Sequence, residues 1–251
     1  MDHLSGKVAL VTGAASGIGR SVSEIYARDG AQIVVSDVDQ EGGKETVQRI
    51  QDAGGEAFFV EADVSQPAHC EGLVQAALDE YGRLDIACNN AGIGGEQNQT
   101  ADYSLEGWER VISINLSGVF YCMKYEIPAI LASGGGAIVN ISSILGRVGF
   151  RTAPAYVSAK HGVLGLTKTA ALEYGPENLR VNTVGPAFIK TPMISGMEED
   201  KEMYQQLVGM HPIGRIGEPQ EVAELVSWLS SDKASFVTGS YYPVDGGYLV
   251  Q

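Results

Sequence analysis

Lys7-Val8-Ala9-Leu10-Val11-Thr12-Gly13-Ala14-Ala15-Ser16-Gly17-Ile18-Gly19 is a Val-rich apolar run that breaks into three spaced glycines. The run reads as a buried strand. Helical spacing follows, with Val22, Ile25 and Tyr26 on one face. A second strand, Gln32-Ile33-Val34-Val35-Ser36, then ends at Asp37. Gly13 permits a tight turn. Gly17 lets the backbone approach a pyrophosphate, which the helix N-terminus stabilises. Asp37 stands 18 residues after Gly19, where an acid binds the ribose hydroxyls of an adenosine. A glycine turn without a ligand is the plain alternative, but the strand, helix and acid around it favour dinucleotide binding. The candidates are Gly13, Ser16, Gly17, Ile18, Gly19 and Asp37.

Asp37 also bears on the choice of cofactor. A carboxylate there accepts from two ribose hydroxyls and repels a 2′-phosphate. Val38 follows it, and Arg20 is the one basic residue close in sequence. NAD is therefore expected rather than NADP.

The same alternation runs along the whole chain. Strands are expected near 7–12, 32–37, 57–61, 85–89, 136–141, 180–184 and 241–244. Helices are expected near 17–29, 41–53, 67–81, 104–131, 155–174 and 218–230. Apolar strands alternating with helices predict an α/β fold, a doubly wound parallel sheet of about seven strands with helices on both faces. The 251 residues suit one domain, 1–251. A Met-rich stretch from Met193 to His211 reads as part of a substrate lid near 187–213, with an ordinary amphipathic surface helix as the alternative.

Composition narrows the partners. The formal charge of −14 argues against nucleic acid and anionic membrane surfaces. No apolar run reaches the length of a membrane span. The first strand begins almost at once, which leaves no room for a signal peptide. Cys70, Cys88 and Cys122 are odd in number and lack metal spacing, so they read as reduced thiols in a cytoplasmic protein.

Tyr156-Val157-Ser158-Ala159-Lys160 carries the chemistry. In a helix, residues four apart share a face, so the ammonium lies one turn from the phenol. At an effective dielectric near 20 and about 4 Å, their attraction is roughly 4 kcal/mol, or about three pK units before desolvation. That brings a tyrosine towards proton exchange at neutral pH.

These segments together resemble the short-chain dehydrogenase/reductase family, over essentially the whole chain. Thr12-Gly13-Ala14-Ala15-Ser16-Gly17-Ile18-Gly19 looks like its cofactor turn, Asn89-Asn90-Ala91-Gly92 like its strand-four motif, and Tyr156-Val157-Ser158-Ala159-Lys160 like its catalytic motif. Ser143 matches the catalytic serine, and Asn115 the structural and proton-relay asparagine. The resemblance implies that Tyr156 exchanges the substrate proton and Lys160 lowers its pKa while binding the nicotinamide ribose. Ser143 would hold the substrate oxygen, and Asn115 a water linking Lys160 to solvent. A helix-interior amide bonding backbone is the other reading of Asn115. Strand alternation points the neighbouring Ser142 away.

The resemblance places Asp63 and Val64 at the adenine, with helix capping as a parallel role for Asp63. It places Asn90, Gly92, Pro186, Ile189 and Thr191 along the cofactor. Ala187 departs from the glycine usual after Pro186, and its Cβ restricts that turn. Ser143, Leu145, Phe150, Tyr156, Phe188 and Met193 are candidates for the substrate site, with Ile144 and Leu207 beside them. Their apolar character suits a bulky ketone or secondary alcohol, as in bacterial NAD-dependent secondary alcohol dehydrogenases. In some relatives a C-terminal Gln helps hold a structural magnesium. Gln251 fits that role, and it also fits a frayed terminus. By resemblance the chain forms a homotetramer.

Two other functions stay open on the sequence. A 3-oxoacyl-carrier-protein reductase is suggested by Arg147 and Arg151 beside the active-site loop, and opposed by Asp37 and the overall acidity. A non-catalytic NAD-binding protein on the same fold is opposed by the intact Ser143, Tyr156 and Lys160.

Overall fold

The computed structural model describes residues 3–198 and 201–251. Its strands are β1 (Val8–Thr12), β2 (Gln32–Asp37), β3 (Glu56–Glu61), β4 (Ile86–Asn89), β5 (Gly136–Ile141), β6 (Leu179–Pro186) and β7 (Tyr241–Val244). They form one sheet in the order β3-β2-β1-β4-β5-β6-β7. Every pairing is parallel. The chain builds outward from β1 to β3, then returns to lay β4 on the other side of β1. At that reversal the connections leave in opposite directions and a crevice opens at the carboxyl edge.

The helices are α1 (Gly17–Arg28), α2 (Gln40–Asp52), α3 (Pro67–Tyr81), α4 (Leu105–Ile112), α5 (Gly118–Ala132), α6 (Pro154–Tyr174), α7 (Ser195–Glu198), α8 (Lys201–Gly209) and α9 (Pro219–Ser230). Strand residues are apolar on both faces because helices cover both. Ala9, Val11, Ile33, Val35 and Cys88 pack with Val22 and Tyr26 of α1 and Val222 and Val226 of α9. Val8, Leu10, Val34, Ala87 and Ile138 face Leu73 of α3, Met123 and Ile130 of α5, and Val163 of α6.

The expected elements fall close to their observed bounds, with one exception. The helix expected over 104–131 is two helices joined by a widened turn, Ser113–Ser117. This segment presses on α6 across small residues. Ala155 and Ala159 pack with Val111 and Leu116. A Cβ on Gly162 would stand 2.8 Å from Leu116 Cδ1. The widened turn carries Asn115, which is fully buried, out of the regular ladder and towards the cleft. Such turns often mark functional sites.

Leu10 is completely buried between the two layers. Leu10→Ala should lower stability by about 2–5 kcal/mol, measured as a lower urea midpoint with an unchanged slope.

Candidate active site

The crevice at the β1/β4 reversal is a cleft of about 390 Å³. The turn after β1 forms its floor. Gly13 adopts φ +64, and a Cβ there would stand 2.8 Å from Ala91 Cα. Gly19 is tighter, since its Cβ would fall 2.1 Å from the Gly13 carbonyl oxygen. The turn is tied to β4 in both directions. Thr12 Oγ1 accepts from the Asn90 and Ala91 amides at 3.1 Å each. The Asn90 side chain donates to the Thr12 and Gly13 carbonyls at 3.0 Å each.

Asp37 lines one end of the cleft. Its carboxylate accepts from the Ala15 amide at 2.9 Å and the Asp39 amide at 3.0 Å. Arg20, the nearby cation, is spent elsewhere. It donates to the Ala15 carbonyl, to Thr46 Oγ1 at 3.0 Å and to Glu45 at 3.0 Å. Asp63 and Val64 also line the cleft. Asp63 accepts from the Ser65 amide at 2.9 Å, so it also holds the turn that leads into α3.

At the other end stand Ser143, Tyr156 and Lys160. Ser143 follows β5 and its hydroxyl accepts from the Leu145 amide at 3.1 Å. Ser142 points the other way, as alternation requires, donating to the Lys160 carbonyl at 2.8 Å. Lys160 is buried, and its ammonium donates to the Ile141 carbonyl at 2.9 Å. Burial pulls Lys160 down to about 8. Its Nζ lies 5.6 Å from the Tyr156 ring centre.

The phenol departs from expectation. Burial holds Tyr156 above its ordinary range, and a hydrogen bond with Ser143 only partly offsets the rise. The Lys160 ammonium donates to a backbone carbonyl, and burial is the larger influence on the phenol.

Asn115 bonds backbone. Its side chain accepts from the Ile93 amide at 2.9 Å and donates to the Ile93 carbonyl at 2.8 Å. Each polar atom makes one hydrogen bond to Ile93, so the side chain clamps the loop after β4, as the backbone-bonding reading of Asn115 expects. Of the expected cofactor residues, Gly13, Ser16, Gly17, Ile18, Asp37, Asp63, Val64, Asn90, Gly92, Tyr156, Lys160, Pro186, Ile189 and Thr191 line the cleft, while Gly19 lies beneath it. Ala187 needs no left-handed backbone and pairs its amide with the Val244 carbonyl at 3.1 Å, so its Cβ is accommodated.

The candidate substrate residues divide between the cleft and the packing around it. Ser143, Tyr156 and Met193 reach the cleft, but Leu145, Phe150 and Phe188 do not line it. Leu145 belongs to a single helical turn, Ile144–Gly146, that packs on α6 and buries it. Phe150 and Phe188 stack edge to face at 6.4 Å. Phe188 continues to His211 at 5.9 Å and Tyr248 at 6.4 Å. Ile144 and Leu207 are buried as well. The apolar lining comes instead from Ile93, Ile114 and Ile194. A third neighbour, Tyr241 on β7, donates its hydroxyl to the Ser143 carbonyl at 3.1 Å, and Arg147 stacks on its ring at 5.4 Å. Nothing local in the sequence marks Tyr241, because its partner is 98 residues away.

The expected magnesium at Gln251 is not supported by the residues present. Its amide donates to the Met210 carbonyl at 2.7 Å. Among the described residues no group of three or more His, Cys, Asp or Glu side chains gathers to complete a hard cation's oxygen shell.

The family profile described as enoyl-(acyl carrier protein) reductase, of the short-chain type, matches residues 13–249. The chain belongs to the short-chain dehydrogenase/reductase family. It is 51% identical to a cyclohexanol dehydrogenase of Acinetobacter sp. (strain SE19), over 98% of this chain and 96% of that protein. It is 42% identical to a 2,5-dichloro-2,5-cyclohexadiene-1,4-diol dehydrogenase of Sphingobium indicum, over 99% of each. A carveol dehydrogenase from Mycobacterium avium, solved in complex with NAD, superposes with a TM-score of 0.96 at 30% identity over all of both chains. This short-chain enzyme is therefore an oxidoreductase of secondary alcohols and their ketones that uses a nicotinamide cofactor. No helix among the described residues is long and apolar enough to cross a membrane.

Gly19→Ala should abolish cofactor binding by calorimetry, because the added Cβ displaces the Gly13 carbonyl and with it the turn. Retained binding would show that the turn adapts.

Proposed function

We propose that this enzyme is an NAD-dependent dehydrogenase interconverting an apolar cyclic secondary alcohol and its ketone, with Ser143, Tyr156 and Lys160 as the catalytic residues. The observation that carries this reading is their convergence at one end of the cleft, opposite Asp37. Bound there, the nicotinamide supplies the hydride acceptor for alcohol oxidation and the donor for ketone reduction.

The chain's own residues handle the proton. Ser143 and Tyr156 both line this end of the cleft and Ser143 lowers the phenol, so an alcohol oxygen placed between them meets a hydroxyl on each side. In oxidation the phenolic oxygen of Tyr156 takes the hydroxyl proton, and in reduction it returns one. Lys160, held to about 8, is mostly charged at neutral pH. At 5.6 Å from the ring its attraction for a phenolate is roughly 3 kcal/mol at an effective dielectric near 20. That opposes the cost of ionising a buried phenol. Asn115 acts through Ile93, which it fixes on the wall of the cleft.

NAD is favoured because Asp37 already accepts from the Ala15 amide and would repel a 2′-phosphate, and because Arg20 is bound to Glu45 and Thr46. An apolar ring is favoured by Ile93, Ile114 and Ile194 in the wall, and by the cyclic alcohols named for the two relatives. We read 187–213 as a lid on a single domain. Met193 and Met203 are exposed there, while Ile194 and Leu207 anchor it in a small apolar cluster with Ile216. The Met197 side chain lies outside the described residues. We also place the enzyme in the cytoplasm as a homotetramer. Exposed Phe120 on α5, Leu172 on α6 and Phe236 before β7 are apolar surface that assembly would cover.

The test is oxidation of cyclohexanol with NAD and with NADP, beside reduction of a β-ketoacyl thioester. Turnover of cyclohexanol with a preference for NAD of at least about a hundredfold, near 3 kcal/mol, is expected. Preference for NADP and the thioester would overturn the reading in favour of the carrier-protein reductase. Tyr156→Phe should remove turnover and leave NAD binding within about twofold. Lys160→Met should lower kcat by about 10²–10⁴-fold and move the alkaline optimum for oxidation upward, because the phenol then ionises without a neighbouring cation.

A further inference from the structure

Behind the cleft, on the α5 and α6 side of the sheet, a row of polar side chains crosses three strands. Thr183 Oγ1 donates to Thr167 Oγ1 at 2.7 Å, and Asn140 Nδ2 donates to the same oxygen at 2.9 Å. Asn89 Nδ2 donates to Asn140 Oδ1 at 3.0 Å and to Glu126 Oε2 at 3.0 Å. All five side chains are buried, and Glu126 is completely so. Two buried oxygens in this row lack a partner, Asn89 Oδ1 and Glu126 Oε1.

These two orphans belong to the same pair of planar groups, which already share one hydrogen bond. With a carboxylate, both are acceptors and neither can satisfy the other. One proton on Glu126 Oε1 changes that. The amide would then donate through Nδ2 to Oε2 and the acid through Oε1 to Oδ1, which would let the two groups pair by complementary edges. Desolvation pushes in the same direction, since a buried carboxylate without a cation is costly.

We propose that Glu126 is held as a neutral carboxylic acid, paired edge to edge with the Asn89 amide, and that this pair positions the carboxyl end of β4. The next residue, Asn90, holds the Thr12 and Gly13 carbonyls of the cofactor turn. Asn140 likewise precedes Ile141, whose carbonyl receives Lys160. The row thus ties the strand ends that carry both halves of the site. Glu126 is a positioning residue, because it touches neither cleft nor cofactor turn.

The surroundings agree. Burial raises Glu126 from 4.5 to about 7, against the pull of Asn89. The ionisable groups whose pKa values respond to its charge are thiols, Cys88 from the opposite face of the sheet and Cys122 from α5. Cys88 on β4 is pushed up by burial and then by the Glu126 charge. Cys122 on α5 is pushed up by its hydrogen bond to Cys70 of α3, by burial and by Glu126. None of these supplies a positive charge. The β5, β6 and α6 neighbours in the row, Asn140, Thr183 and Thr167, do not ionise.

The sign of the pH effect follows. Between 4.5 and about 7 the folded protein holds a proton that the unfolded chain has released. That contribution to stability is complete below 4.5 and is lost as pH rises through about 7. Glu126→Gln puts an N–H where the acid has its O–H, so it keeps the pair at every pH.

The test compares wild type and Glu126→Gln across neutral pH, by melting temperature and NAD affinity, with infrared spectra of the wild type. Wild type should lose several-fold in NAD affinity, and some melting temperature, as pH rises through 7. The variant should lose clearly less of each. Wild type below pH 7 should also show the carbonyl band of a protonated carboxyl, shifted by carbon-13 glutamate labelling. The melting and infrared results stand apart from the substrate reading, and the infrared result needs no folded variant. Absence of the labelled band, or parallel pH profiles for the two proteins, would overturn the proposal.

Discussion

The tie between Thr12 and Asn90 is the constraint on which the rest of the site depends. β1 and β4 are neighbours whose connections leave in opposite directions, so their carboxyl ends open a crevice. An open crevice exposes backbone groups that no strand pairs. Thr12 and Asn90 satisfy four of these at once, by hydrogen bonds of 3.0–3.1 Å. The geometry leaves no room for a side chain at Gly13 or Gly19. The cofactor turn is thus placed by the opposing strand as much as by its own glycines.

The Ser143 and Lys160 end of the cleft is built on the same logic of satisfied burial. A buried ammonium is tolerated when a fixed dipole faces it, and the Ile141 carbonyl serves Lys160. Ser142 returns a hydrogen bond to the Lys160 carbonyl, so β5 and α6 are joined on both sides of the lysine. Tyr241 holds the backbone of Ser143 from β7. Asn115 holds Ile93 by two bonds. Ser143 and Ile93, which line the cleft, are thus held by Tyr241 and Asn115, which do not. Catalytic geometry of this kind rests on supporting contacts, since small misplacements are costly.

Beneath this lies the polar row from Thr183 to Glu126. Polar networks in a core are costly when incomplete and specifying when complete. This one needs a single proton to be complete, and it links β4, β5 and β6 at the level where their ends diverge. The crevice and the row are two consequences of one topology, because the strands that open above the row must be held together within it.

The sequence by itself determined the order and type of the elements, the parallel sheet, the glycine turn after β1 and the shared helix face of Tyr156 and Lys160, while Ser143 came from the family resemblance. These are carried by short-range patterns: a period of two or 3.6, glycines within one turn, and a phenol and an ammonium four residues apart. What it did not carry are the contacts between distant segments. The widened turn inside the expected 104–131 helix lies against α6, a contact between distant segments. The clamp of Asn115 on Ile93 spans 22 residues, and the support of Ser143 by Tyr241 spans 98. The edge-to-face contact of Phe150 with Phe188 likewise joins residues far apart in the chain. Tertiary structure also decided the charge states, because the burial that raises Tyr156 and Glu126 and lowers Lys160 exists only once the layers close. Spacing along a chain specifies which groups can meet within one element, whereas dielectric and partner are set by whichever elements the fold brings against it.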